Sequence, residues 1–257
     1  MERITDVPLP GNLQAAVGGW LAERGGGSHR AGAAMLTHTY RSGGASASID
    51  LAAYLVARLP ATYAAVARVL DEVKKLRPGF APRSLLDAGS GPGTASWAAA
   101  TFWRSLESIR LFDNNEDFLE IAAQLARGSD HAALRNARVE QGSILDPAPP
   151  AELVIASYAL AELTQSGAVR AALALWRATE ETLVLIEPGT PDGFARIVAA
   201  RTALLAEGAF PIAPCPHAGV CPIRAPDWCH FSVRLPRSRA HMHAKAAHVP
   251  FEDEKFS

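Results

Sequence analysis

The sequence predicts an α/β fold, a mainly parallel sheet with helices on both faces, and three observations carry that expectation. From residue 84 onward, short runs rich in Leu, Ile and Val alternate with stretches of helical periodicity, the pattern of strands joined by crossover helices. The run Leu85-Leu86-Asp87-Ala88-Gly89-Ser90-Gly91-Pro92-Gly93-Thr94 ends an apolar strand in an acid and three alternate glycines. Glycines at such a turn accept backbone angles closed to other residues and let a ligand approach the main chain. Polar residues close the later apolar runs, at the strand ends where parallel sheets bind ligands.

In chain order, residues 1–80 are expected to form a helical N-terminal region. The first 48 are rich in Gly, Ala and Ser, with breaks at Gly25-Gly26-Gly27 and Gly43-Gly44. Ser48-Ile49-Asp50 offers a helix cap, residues 51–58 run helical, and Pro60 is expected to stop that piece and restart the chain. Tyr63, Val66, Leu70 and Val73 then recur at helical spacing, with Asp71 and Lys75 one turn apart on the opposite face. Arg58 reads as a solvated side chain and Tyr63 as a core residue, contact with RNA being the alternative for both. Pro78 and Pro82 end the helix and open the main domain, 81–257.

Strands are expected at 84–87, 109–112, 138–141, 152–157 and 182–187, with helices at 94–103, 116–126 and 193–207. Residues 228–235 read as a sixth strand, and 255–257 as the start of a seventh beside it. The chain is therefore expected to be cut short within its last strand.

Composition bounds the function. With 257 residues, 49% of them hydrophobic, the chain can bury one sizeable core. A formal net charge of -1 gives no global pull toward nucleic acid or membrane, so any such bias is local. No apolar run approaches the roughly 20 residues that span a bilayer, and the first six residues resemble no targeting peptide. A cytoplasmic location is the expectation, with no membrane partner and no DNA. Three cysteines, all between 215 and 229, argue against a disulfide framework and for a metal centre or reactive thiols.

The glycine spacing departs from the dinucleotide fingerprint G-x-G-x-x-G. It resembles Asp-x-Gly-x-Gly-x-Gly, the first motif of class I S-adenosylmethionine-dependent methyltransferases, and so implies a Rossmann-like fold and that cofactor. Gly89, Gly91 and Gly93 are candidate cofactor contacts. Asp87 is placed to meet the cofactor ammonium or to brace the loop. Asp113, ending the second strand, is suited to accept both ribose hydroxyls, a plain loop acid being the alternative. Ser143 stands where this class often has an acid against the adenine. Ser157, with Tyr158, ends the fourth strand, where the methyl would face its acceptor. Glu187 is read as a site residue or a helix cap. No catalytic residue is apparent, since no Asn/Asp-Pro-Pro-Tyr/Phe signature follows the fourth strand and no core cysteine is available to attack a pyrimidine.

Between Ala213 and Phe231, Cys215, Cys221 and Cys229 are separated by six and eight positions, among prolines and with His217 and His230 nearby. This suits a metal-binding insertion, 211–230, although the spacing is not that of common zinc knuckles. Arg234, Arg237, Arg239 and Lys245 belong to a basic stretch unrelieved by acid until Glu252, and are candidate RNA contacts.

Taken with Arg58-Leu59-Pro60-Ala61-Thr62-Tyr63, Glu187-Pro188-Gly189-Thr190-Pro191, Arg237-Ser238-Arg239 and the closing Glu252-Asp253-Glu254-Lys255-Phe256-Ser257, the glycine turn and cysteine segment resemble a known family from Leu51 to Ser257. It comprises the bacterial relatives of the mitochondrial small-ribosomal-subunit assembly proteins, methyltransferase-like and carrying an iron-sulfur cluster. The resemblance implies binding to small-subunit ribosomal RNA during ribosome assembly, and a [4Fe-4S] cluster held by four cysteines, three of them Cys215, Cys221 and Cys229. The family's fourth cysteine falls beyond Ser257, so His217 or His230 substitutes or a ligand is missing. The expected function is thus that of an S-adenosylmethionine-binding, methyltransferase-like protein acting on or with small-subunit ribosomal RNA, with RNA the favoured acceptor if methyl transfer occurs. The alternatives are a non-catalytic RNA-binding assembly factor and a small-molecule methyltransferase with a structural zinc.

Overall fold

A computed structural model describes residues 7–24 and 50–257. The glycine breaks and the Ser48-Ile49 part of the cap lie outside the described residues. Helix α1 (Gly11–Glu23) buries Leu13, Val17 and Trp20. A helical turn at Leu51–Ala53 begins where the Asp50 side chain accepts the Ala53 N–H at 2.9 Å.

The chain does not restart at Pro60. The turn runs through π-helical Tyr54–Arg58 directly into α2 (Leu59–Leu76), with Pro60 in its first turn. A proline ring clashes with the carbonyl four residues back and lacks the N–H that would bond it. In the widened turn the Leu59 N–H bonds the Tyr54 carbonyl five residues back, and the helix absorbs the proline without breaking. Tyr63 is core, as expected, at 3% exposure.

The main body is β1 (Ser84–Ala88), α3 (Thr94–Phe102), β2 (Ser108–Asp113), α4 (Glu116–Ala126), the short α5 (Ala132–Arg135), β3 (Arg138–Gln141) and β4 (Ala151–Ser157). A 3₁₀ turn (Leu160–Glu162), α6 (Gln165–Arg177), β5 (Thr179–Ile186) and α7 (Pro191–Ala206) follow. Five strands pair in the order β3-β2-β1-β4-β5, all parallel, with α2 packed on α3 and α1 on α4. This is the doubly wound arrangement of class I methyltransferases, whose order reverses between β1 and β4 and places ligands at the strand carboxyl ends there. Central strands contribute the buried Leu85, Leu86, Val154 and Ile155, which is why they read as continuous apolar runs.

The last elements are β6 (Phe231–Pro236), α8 (Arg239–Ala244) and β7 (Phe251–Phe256). β6 and β7 are antiparallel. Pro188 bridges Phe256, and Glu187 and Ser257 exchange backbone hydrogen bonds of 2.8 Å in both directions, so β7 lies beside the outgoing end of β5. β6 starts later than expected because Trp228 is engaged elsewhere: its indole N–H donates to the Gly189 carbonyl at 3.1 Å and its ring stacks on His230. No described helix is long and apolar enough to cross a membrane.

Candidate cofactor site

The site is built where β1, β2 and β4 end. All three loop glycines have left-handed backbones, with φ of 66° at Gly89, 51° at Gly91 and 81° at Gly93, the region open to glycine at little cost. A Cβ on Gly89 would lie 2.4 Å from the Ala159 Cβ, so only glycine fits between β1 and the chain leaving β4. At Gly91 a Cβ would not clash, the nearest atom being the Tyr54 hydroxyl at an ordinary contact distance of 3.7 Å.

Asp113 faces this loop. Its Oδ2 accepts the Gly91 N–H at 2.7 Å and its Oδ1 the Asn115 N–H at 2.9 Å. A carboxylate has about four lone-pair positions, so acceptor capacity remains beside the Gly91, Asn114 and Asn115 amides. Burial raises its pKa, against the backbone hydrogen bonds that lower it.

Asp87 is fully buried, and its Oδ2 accepts both the Ser96 N–H at 2.9 Å and the Ser96 hydroxyl at 2.8 Å. It thus caps the first turn of α3 from a neighbouring strand, filling the role of bracing the loop. Its Oδ1 has no protein partner, and burial raises its pKa to about 7.

Ser143 receives the Leu145 N–H at its hydroxyl (3.2 Å) and donates its own N–H to Asp146 at 3.0 Å. Asp146 therefore brings an acid to the end of β3, three residues later than the position read from sequence. Ser157 ends β4, paired with Ile186. Glu187 does not cap a helix, since Thr190 does so by accepting the Gly193 N–H at 3.1 Å. Glu187 lies buried against Arg196 at 3.3 Å, and burial raises its carboxyl to about 8 despite that cation.

Beyond Ser157, Tyr158 is joined by Arg58, which the sequence reading left in solvent, and by Glu254, to which it gave no site role. Arg58 is not solvated: its side chain is 13% exposed, lies 2.9 Å from Glu254 of β7, and covers the Tyr158 ring at 4.4 Å. The Tyr158 hydroxyl donates to the same Glu254 Oε1 at 2.9 Å. Burial and the adjacent Glu254 charge hold the Tyr158 pKa well above its ordinary value, keeping it a neutral donor. Tyr158 also has φ of 62°, a conformation that costs a bulky residue about 1–3 kcal/mol and persists where surroundings over-determine it.

The cysteines lie in an irregular stretch between α7 and β6. Among the described residues, no three His, Cys, Asp or Glu side chains gather into a group able to hold a metal, so the expected metal-binding insertion is present as a loop without a formed ligand set. Both histidines have other engagements there: His217 Nδ1 accepts the Gly219 N–H at 3.1 Å, and His230 stacks on Trp228. The Cys229 pKa is raised, by burial first and then by the charges of Cys215 and Cys221.

The basic stretch is largely paired within the fold. Arg234 meets Asp253 through two bonds of 2.8 and 3.0 Å, and Arg237 and Lys245 both reach Glu252, at 3.4 and 2.5 Å. Arg239 is exposed at the start of α8, beside an open depression that His243 and His248 also line.

Comparison with known proteins places this geometry in a family. The human ribosome assembly protein METTL17, mitochondrial, is 31% identical over 193 residues, covering 70% of this chain and 42% of its own length. The Rsm22-cox11 tandem protein 2, mitochondrial, of Schizosaccharomyces pombe is 30% identical over 189 residues, 66% of this chain and 25% of the relative. The chain thus spans less than half the length of these curated relatives. Among solved structures, a putative RNA methyltransferase from Pyrococcus horikoshii aligns over 74% of this chain and 79% of its own, with a TM-score of 0.45 and 11% identity. The glycopeptide N-methyltransferase MtfA with bound S-adenosylmethionine aligns over 50% and 57%, with a TM-score of 0.41 and 11% identity. The curated relatives named here are mitochondrial proteins, which overturns the expectation of a cytoplasmic location. Residues 48–257 match the family model described as mitochondrial small ribosomal subunit Rsm22, and the chain belongs to that family.

Proposed function

We propose that this chain binds S-adenosylmethionine at the glycine loop and acts on or with small-subunit ribosomal RNA in ribosome assembly. The observation that carries the cofactor reading is Asp113, a buried acid at the end of β2 whose oxygens hold the Gly91 N–H and retain acceptor capacity beside the glycine loop. That arrangement suits two vicinal ribose hydroxyls. Ser143 and Asp146 stand where an adenine edge would lie, and Ser157 closes the far side. The orphaned Oδ1 of Asp87 is a further acceptor in the same buried region. When bound, the cofactor supplies a methyl group activated on a sulfonium; the residues described here bind and orient it. Asp113→Ala should weaken cofactor binding by about 1.5–3 kcal/mol, the value of charge-assisted hydrogen bonds, and Gly91→Val should abolish it by putting a side chain where the cofactor would lie. Titration calorimetry reads both, and unchanged affinity in either variant would refute the assignment.

The ribosomal part of the reading is supported by family membership and by the printed names of the relatives. RNA contact falls first on Arg239, exposed at the start of α8, then on Arg234, exposed on β6 but paired with Asp253. Arg239→Ala should lower RNA affinity and flatten its salt dependence. A non-catalytic assembly role is favoured by one observation: Arg58, Tyr158 and Glu254 fill the side from which an acceptor would approach. Transfer of labelled methyl to purified small-subunit RNA, by protein shown to bind the cofactor, decides between the two.

Cys215, Cys221 and Cys229 are proposed as ligands of one centre, a [4Fe-4S] cluster or zinc. Thiolates suit both metals, and the three cysteines share one irregular stretch between α7 and β6. Iron, sulfide and zinc analysis after anaerobic purification tests this, with loss of metal expected in Cys229→Ser.

A further inference from the structure

The loop Ser90-Gly91-Pro92-Gly93 is buried, although it crosses the open end of the sheet. Part of its cover is the segment before α2. The Tyr54 hydroxyl stands over Gly91, and the Tyr54 ring meets Phe118, in the first turn of α4, edge-on at 4.8 Å. Tyr54 therefore bridges the glycine loop and the helix that follows Asp113. Tyr54 also begins the π turn, and Arg58 ends it. From the two ends of that turn, Tyr54 meets the glycine loop and Phe118, while Arg58 meets Tyr158 and Glu254.

We propose that Arg58, Tyr158 and Glu254 form a clasp that holds Tyr54 over the cofactor cradle and sets the rate of cofactor exchange. The inference rests on the reading of the glycine loop as the cofactor site. Its three members come from the covering segment, the end of β4 and β7, and the Arg58 and Glu254 side chains are only 13% and 12% exposed. Removing one partner of a buried ion pair strands the other charge, so the pair resists separation. Two donors from different elements converge on one carboxylate oxygen, Glu254 Oε1, which makes Glu254 the common anchor. The left-handed backbone at Tyr158 is what turns its hydroxyl toward that anchor. A cofactor lying against Asp113 and the glycine loop would have Tyr54 across its exit. Arg58 is therefore a positioning residue, acting on the cofactor through Tyr54, and β7 is part of the site through Glu254.

The test is the release of S-adenosylmethionine from the full chain, followed by stopped-flow chase with excess S-adenosylhomocysteine. Glu254→Gln and Arg58→Ala should release the cofactor about tenfold faster or more, with Tyr158→Phe intermediate and Arg58→Lys partly restored. Hydrogen exchange should rise at residues 51–58 in the same variants. Thermal unfolding without cofactor separates this from a merely structural role: lower stability with a release rate within twofold of the parent overturns the clasp. If Glu254→Gln does not fold, Tyr158→Phe, which removes one hydroxyl, carries the test alone. If the parent binds no cofactor while remaining folded, the cofactor reading itself falls and the clasp with it. Faster release without increased exchange at 51–58 would also overturn the proposal.

Discussion

Gly89 and Gly91 lie two residues apart in one loop, share a left-handed backbone, and should respond differently to the same substitution. Alanine at Gly89 meets Ala159 at 2.4 Å in addition to the backbone strain at φ 66°, whereas at Gly91 the nearest atom is 3.7 Å away and φ is 51°. Strain alone costs about 1–2 kcal/mol, and overpacking adds about 1–3 kcal/mol. Chemical denaturation should therefore rank Gly89→Ala well below Gly91→Ala in stability. Equal losses would mean that the chain leaving β4 yields freely. The alternation of glycines was legible in the sequence because it reports backbone angle, a local property. Which glycine is crowded was not, because Ala159 arrives from a distant strand. Asp113 was legible for the same local reason, standing at a strand end, while the partners of Asp87 and Glu187 depended on how α3 and α7 pack.

At the scale of elements, the parallel strands were readable because a strand buried on both faces becomes an unbroken apolar run. The π turn was not. Pro60 carries the local signature of a stop, and only the continuing burial of Tyr54, Leu55, Val56 and Leu59 keeps the helix going through it. The same limit hid Arg58, which a helix ending before Pro60 would leave in solvent, and Glu254, which reads as one charge among several in an acidic closing segment. The basic stretch looked unrelieved because its acids follow it in sequence; the antiparallel register places Arg234 opposite Asp253. Phe256 fastens that hairpin to the main sheet. It is 4% exposed, its ring lies 5.9 Å from that of Phe231, and its backbone bridges Pro188. Phe256→Ala should cost about 3–5 kcal/mol and speed hydrogen exchange at Gly189 and Ser257, whose amides bond across that junction. Unchanged protection there would place the anchor elsewhere.

For the whole molecule, one buried and one half-buried carboxyl pull stability in opposite directions with pH. Burial pushes Glu252 up, but hydrogen bonds and charges from His241 and Lys245 outweigh it and hold the carboxylate at about 2, against 4.5 when unfolded. The unfolded chain takes up this proton first, so the contribution is full above about 4.5 and lost as pH falls toward 2, on the order of 3 kcal/mol in all. Asp87 runs the other way: folded it titrates near 7, unfolded near 3.8. The folded state holds the proton, so its contribution is full below 3.8 and lost as pH rises through about 7. Chemical denaturation across pH should find the acid limb reduced in Glu252→Gln and the neutral limb reduced in Asp87→Asn, each relative to the parent. A parallel curve in either variant would contradict the assignment. The place of β7 carries a consequence for synthesis. The glycine loop, Asp113 and all five parallel strands precede residue 187, whereas Glu254 lies far downstream. At about 5–20 residues per second, a nascent chain spends several seconds with the glycine loop and the strands around it translated and β7 still to come. If the loop is the nucleoside cradle proposed above, the small molecule and the emerging polypeptide would meet in that interval at an open doorway, which translation of β7 would shut.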